Sequence, residues 1–318
     1  MPDKAYQELA QKFGLNWTII KSWYELAGLD SFEDWEKFFQ ENIDFIKAKP
    51  FVKWVGGKRQ LISQLEKFFP DEFNNYLEPF VWGGAVFFRV QKKKSFLSDV
   101  NSELINAYEV IKYYPEKLIN FLSTLEFTRE CFYRIRSWDK ESNWQSKYTK
   151  IQRAGRLLYL NRTCFNWLYR ENARGEFNVP IWRYKNPDFV QAENIRNCSK
   201  LLNKTEAIIK QQSFEKVVDN AQAGDFVYFD PPYDVLSETA NFTSYNEWGF
   251  GKEWQKKLAE VFKQLDANDV KVMLSNHDTP LIRELYQWFR FEIVKARRSV
   301  NSNSSKRGAI NEVVVLNY

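Results

Sequence analysis

Histidine occurs once in the 318 residues, at His277. One histidine cannot build a multi-histidine metal centre, so no metal is expected, and a Ser-His-Asp triad would have to pass through that residue. The three cysteines, Cys131, Cys164 and Cys198, lack the paired spacing of a zinc or redox motif. They are expected to be free thiols in a reducing cytoplasm. No apolar run approaches the length of a membrane span, and the opening residues MPDKAYQELAQKFG have no apolar signal core. The sequence therefore predicts a cytoplasmic protein with no membrane partner. Glycine is scarce, with 12 residues matched by 12 tryptophans; an average chain holds about 7% glycine. The net charge is only +5. Affinity for nucleic acid must then come from local patches, such as Lys295-Ala296-Arg297-Arg298 with Lys306-Arg307, which is equally readable as a solvated basic edge.

What is present is an alternation of strand and helix signals. Residues 1–48 read as a short helical unit whose Leu9-Ala10, Gly14-Leu15, Ile20 and Trp23 fit a helix-turn-helix spacing, although a small helical cap packed on the main domain is the expectation preferred. Residues 49–120 alternate helix and strand, 121–204 are rich in aromatic, Arg and Asn residues, and 205–318 return to the alternation. Helices are expected over Lys58–Phe69, Ala85–Gln91, Ser102–Tyr113 and Thr279–Trp288. Strands are expected over Tyr76–Val81, Ser95–Val100, Asp225–Phe229, Val270–Leu274 and Glu312–Leu316. Such a pattern argues for a doubly wound α/β sheet, whose ligands bind at the carboxyl ends of the strands. Three of these ends carry notable residues: Gly83-Gly84, Asp99 and Asp230-Pro231-Pro232-Tyr233.

Glycines after a strand let the backbone approach a ligand, and an acidic residue closing the next strand suits a ribose diol. An ordinary β–α turn would carry the same residues. The Asp230–Tyr233 run is more specific. An aromatic amine is a poor nucleophile because its lone pair is delocalised. The Asp230 carboxylate and the Pro231 carbonyl are adjacent acceptors for such an NH2 group, the prolines stiffen the turn, and Tyr233 offers a face for stacking a base. His277, within Asn276-His277-Asp278, is expected in a structural turn near the site.

With these residues the sequence resembles the Dam-type (D12 class, DpnII-methylase-like) DNA adenine-N6 methyltransferases. The resemblance runs from Lys49 to Tyr318. It is carried by Phe51-Val-Lys-Trp-Val-Gly-Gly-Lys58, Glu78-Pro-Phe80, Leu160-Asn-Arg-Thr-Cys-Phe165, Gly175-Glu-Phe-Asn-Val-Pro180, the Asp230 turn with Leu236-Ser-Glu-Thr-Ala-Asn-Phe-Thr-Ser-Tyr245, and Ser275-Asn-His-Asp-Thr279. It implies a class I S-adenosylmethionine-dependent methyltransferase fold, a Rossmann-like sheet with an inserted helical target-recognition region. It also implies base flipping, S-adenosylmethionine as cofactor, double-stranded DNA as partner, and a cognate restriction endonuclease as a further candidate. Trp54, Lys58, Phe80, Gly83, Gly84, Asp99 and Asp230 match cofactor positions. Lys53, Asn166, Leu168, Arg170 and Pro180 match positions that read GATC, and Phe165 matches an aromatic that fills the vacated stack. Arg153 and Arg156 are expected to serve packing or phosphate contact instead.

Three positions depart from the family in one way: Trp82, Trp167 and Trp182 stand where it has glycine. Trp82 is expected to intrude on the cofactor. Two explanations are open: a UGA codon read as glycine by the source and written here as tryptophan, or a relative that keeps DNA binding and has lost catalysis. A methyltransferase of RNA or of cytosine N4 is the third alternative, and the recognition block at 160–184 argues against it.

Overall fold

The computed structural model describes residues 46–54, 56–235, 250–297 and 309–318. The chain divides at Lys47–Ala48. The expected N-terminal helical unit, the block from Leu236 to Tyr245 and the basic stretch after Arg297 lie outside the described residues, apart from 46–48.

Seven strands make one sheet: β1 (Tyr76–Glu78), β2 (Ser95–Asp99), β3 (Ile208–Gln211), β4 (Phe226–Phe229), β5 (Lys271–His277), β6 (Arg290–Arg297) and β7 (Ala309–Leu316). Their order is β3-β2-β1-β4-β5-β7-β6. The first five run parallel, while β7 is antiparallel to both β5 and β6. Strand order reverses between β1 and β4, so their carboxyl ends open a crevice. The central β4 is buried along its whole length, as a parallel strand covered on both faces must be. Val227, Phe229, Val272, Leu274, Val313 and Val315 form one face of the core.

The helices are α1 (Ile62–Leu65), α2 (Phe87–Val90), α3 (Ser102–Tyr113), α4 (Pro115–Ser123), α5 (Arg129–Arg136), α6 (Trp144–Lys147), α7 (Lys150–Thr163), α8 (Ala192–Lys204), α9 (Lys252–Ala267) and α10 (Pro280–Leu285). Asn101 caps α3 by accepting from Leu104 N, and Thr149 with Gln152 forms a capping box on α7. α9 places Leu258, Phe262 and Leu265 against the sheet. The helices α4 to α8 carry the aromatic-rich segment, and α7 and α8 both pack on α3. None of the described helices is long and apolar enough to cross a membrane.

Five expectations need correction. The helix expected over Lys58–Phe69 is broken into a 3-10 turn at Lys58–Gln60, α1, and a second 3-10 turn at Glu66–Phe68. Pro70 forces Phe69 out of the helical region, to φ −66, ψ 141. The helices expected over Ala85–Gln91 and Thr279–Trp288 shrink to α2 and α10. Gln91 turns left-handed at φ 49, and Thr279 is the cap rather than the first turn. β1 stops at Glu78, before Pro79. β5 runs on to His277, so Asn276 and His277 are strand residues and not a turn.

Candidate active site

The crevice gathers residues from three strand ends and from the segment before α1. Lys58 Nζ lies 2.6 Å from Asp230 Oδ1, with both side chains almost fully buried. The same ammonium donates to Gly56 O at 2.7 Å and sits 4.5 Å above the Tyr233 ring. Asp99, at the end of β2, accepts from Asn101 N at 3.0 Å and Trp82 N at 3.3 Å. Phe80 stacks on Phe214 at 5.3 Å and meets Phe229 edge-on. Gly84 has φ +68, and a Cβ there would come within 2.5 Å of the Tyr108 hydroxyl, so the turn tolerates only glycine. Gly83 is tight as well, because a Cβ would meet Val52 O at 3.2 Å.

Burial raises Asp230 from the ordinary carboxylate range to about 6, opposed by Lys58 and assisted by Glu312. Burial also raises Asp99 to about 6, opposed by its backbone donors. Glu78 behind them is pushed well up by burial, and caps α2 by accepting from Phe87 N at 3.0 Å.

The turn after β4 is braced from several sides. Gln255 of α9 donates to Pro232 O at 2.9 Å, and Asn276 donates to Gln255 at 3.1 Å. Asn276 Oδ1 accepts from Asp234 N, Thr279 Oγ1 donates to Asp234 Oδ2, and His277 Nδ1 lies 2.6 Å from Asp234 O. His277 is therefore a brace. Gln255, which braces the turn, and Phe214, which stacks on Phe80, were not among the residues singled out from the sequence, because each lies far along the chain from its partner.

Trp82 has φ 43, a conformation that is an outlier for a bulky side chain. Its indole Nε1 donates to Asp230 O at 2.7 Å and its ring lies 5.8 Å from Trp54. The side chain therefore stands between two of the expected cofactor residues. Trp167 likewise has φ 55.

The recognition candidates cluster beyond Trp54. Buried Asn161 ties Lys53 to the loop after α7: it accepts from Lys53 N and donates to Lys53 O and Trp167 O. Lys53 Nζ sits 4.8 Å over the Trp167 ring. Phe165 is exposed, donates from its amide to Pro180 O, and meets Trp182 edge-on at 4.5 Å. Asn166 is left-handed at φ 55, and Leu168 N closes a turn onto Phe165 O. Arg170 is exposed and donates from Nε to Asn178 Oδ1 at 2.7 Å. Tyr169, between Leu168 and Arg170, stacks on Trp54 at 4.8 Å. Arg156 is buried against Asp139 at 2.5 Å, and Arg153 pairs with Glu103; both are structural. The three cysteines are buried and unbridged.

A sheet of this order with a reversed seventh strand, an acidic residue closing β2 and an Asp-Pro-Pro-Tyr turn closing β4 defines a class I methyltransferase. Residues 54–300 match the family described as D12 class N6 adenine-specific DNA methyltransferase. The Type II methyltransferase M1.LlaDCHI of Lactococcus lactis subsp. cremoris is 46% identical over 275 residues, covering 86% of this chain and 96% of that protein. The Type II methyltransferase M.MjaIII of Methanocaldococcus jannaschii is 39% identical, covering 86% of this chain and all of its own length. The DNA adenine methylase of Escherichia coli K12 is 36% identical over 85% of this chain and 95% of its own. The chain belongs to the D12 class of N6 adenine-specific DNA methyltransferases.

Proposed function

We propose that this enzyme methylates adenine N6 within GATC in duplex DNA, in the cytoplasm, with S-adenosylmethionine as donor and by base flipping. The observation that carries it is the Asp230 carboxylate, buried at the switch point and held by Lys58 at 2.6 Å. Asp230 and the Pro231 carbonyl accept the two hydrogens of the adenine amino group and draw its lone pair out of the ring. Tyr233 stacks on the base. Lys58 keeps Asp230 ionised in a site that would otherwise favour its neutral form.

The residues fit the cofactor at all points but one. Asp99 offers a buried acceptor for a ribose diol, and the Phe80–Phe214 pair offers a flat apolar wall. The bound cofactor supplies an activated methyl group, so the protein's task is positioning. The misfit is Trp82, whose indole occupies the gap between Trp54 and Asp230. That contact also supports a second reading, a DNA-binding relative whose catalysis is impaired by Trp82.

On the DNA side, Lys53 and Arg170 suit guanine edges, Leu168 and Pro180 suit a thymine methyl, Asn166 suits a base edge, and Phe165 fills the vacated stack. Two relatives are named Type II methyltransferases, which motivates a cognate restriction endonuclease as partner. Labelled S-adenosylmethionine with duplexes carrying GATC or a scrambled site tests the whole. Label in the GATC duplex alone supports it. Label in neither, restored by Trp82→Gly, assigns the loss to the indole. Equal label in both refutes the target.

A further inference from the structure

We infer that Glu312 is a positioning residue of the methyl-transfer site, fixing the Tyr233 ring through its phenol. This rests on the proposed role of the Asp230–Tyr233 turn. The Tyr233 hydroxyl donates to Glu312 Oε2 at 2.9 Å. A ring that only stacks on a base needs no hydroxyl, since phenylalanine would stack as well. Here the phenol is tied to a carboxylate, and hydrogen bonds to a charged acceptor are the strong ones.

The anchor is rigid. Glu312 lies on β7, which pairs with β5 on one side and β6 on the other, and it stands opposite His277 in the β5–β7 register. His277 meets the Tyr233 ring edge-on at 4.9 Å, and Lys58 lies over its face at 4.5 Å. The ring is thus held at its hydroxyl, its edge and one face. The arrangement works against the neighbouring carboxylate, because Glu312 adds negative charge beside buried Asp230. A carboxylate kept at that electrostatic cost points to service for the site.

The charged groups that act on Asp230 are Lys58 before α1 and Glu312 of β7, while Asp230 in turn raises Glu78 and Tyr76 of β1 and Tyr228 and Tyr233 of its own strand and turn. Of these, Glu312 alone joins Asp230 electrostatics to the Tyr233 hydroxyl from another strand beyond β4. Removing its charge lowers the Asp230 pKa, whereas removing the phenol acts on ring position alone.

The test uses the full chain, or its Trp82→Gly form should the parent not turn over. kcat and KM for a cognate duplex are measured against pH, together with the fluorescence of 2-aminopurine at the target position. Glu312→Ala and Tyr233→Phe are each expected to lower kcat about tenfold and to blunt the fluorescence rise, leaving the KM for S-adenosylmethionine unchanged. The double variant is no worse than either alone, because both remove one interaction. Glu312→Gln keeps an acceptor and recovers most of kcat. Glu312→Ala and Glu312→Gln move the acid limb of kcat to lower pH, and Tyr233→Phe does not. Wild-type kcat with an unmoved limb in Glu312→Ala, or additive losses in the double variant, would overturn the inference. Asp230→Ala is run alongside, and full activity there would overturn the reading of the turn itself, independently of Glu312.

Discussion

Lys58 Nζ and Asp230 Oδ1, 2.6 Å apart and buried together, form a pair in which neither charge can lose its partner without consequence. Removing one member of such a pair typically costs about 3–5 kcal/mol, because the survivor is left charged in a poor solvent. Asp230 has an escape, since it can take up a proton. Lys58→Met is therefore expected to raise the Asp230 pKa above its present value of about 6. The loss of unfolding stability is expected to be roughly 3 kcal/mol at pH 8 and smaller at pH 5, where the carboxyl is neutral in both proteins. Urea unfolding at the two pH values measures it. An equal loss at both would show that the charges contribute nothing to each other.

The same pKa sets the pH dependence of the rate. Burial raises Asp230 and Asp99 to about 6 each, and in the proposed roles each is a strong acceptor at both oxygens only when deprotonated. As pH falls through about 6, Asp230 gains a proton and kcat declines, approaching tenfold per pH unit below that. Asp99 gains a proton over the same range, but its effect is a rise in the KM of S-adenosylmethionine. Asp99→Asn is expected to remove the pH dependence of that KM while the kcat limb stays. A kcat that is flat between pH 5 and pH 8 would rule out Asp230 as the acceptor in the rate-limiting step.

Trp82 and Trp167 both adopt left-handed backbone, at φ 43 and φ 55, where a non-glycine residue carries about 1–3 kcal/mol of strain. Trp182 does not, although its ring is 44% exposed. Two of the three departures from the family thus fall where the backbone itself asks for glycine. UGA is the codon expected at all three positions, and UGG at all three would sink the recoding idea. Trp82→Gly is expected to bind S-adenosylmethionine at least about tenfold more tightly than the chain as written, by calorimetry, because the indole no longer bridges Trp54 and Asp230. Equal affinities would mean that the side chain swings aside at no cost.

The central sheet was legible because burial on both faces writes continuous apolar runs, as in Phe226–Phe229. The edges were not. β3, Ile208–Gln211, is largely exposed and has no alternation. β6 reads Arg-Phe-Glu-Ile-Val-Lys-Ala-Arg, and its charges suggested a basic patch; charges of this kind are what an edge strand carries to discourage further pairing. α9 has helical spacing at Leu258, Phe262 and Leu265 and was readable, although it was not among the elements expected. At the site, the sequence showed the Asp230–Tyr233 turn, Asp99 and the glycine pair. The braces of the turn, Gln255, Thr279 and Glu312, lie 23 to 79 residues beyond the residues they hold, and only the fold brings them near.

Arg170, proposed above to read a guanine, is itself held in place. Its Nε donates to Asn178 Oδ1 at 2.7 Å, and Asn178 N donates to Arg170 O at 3.1 Å across the same hairpin. The engaged nitrogen is Nε, and the two terminal amino groups are the fork that the O6 and N7 acceptors of guanine require. Arg170→Ala is expected to lower kcat/KM on GATC by about 10- to 100-fold, while weakening discrimination against duplexes altered at the guanine. Arg170→Lys is expected to recover little of it, since an ammonium makes no paired contact. Asn178→Ala keeps the fork but frees its orientation, so its loss is smaller, about threefold to tenfold, and follows the same substrate pattern. If Arg170→Ala instead lowers methylation of matched and altered duplexes equally and flattens the salt dependence of binding, the guanidinium meets a phosphate and the guanine is read elsewhere.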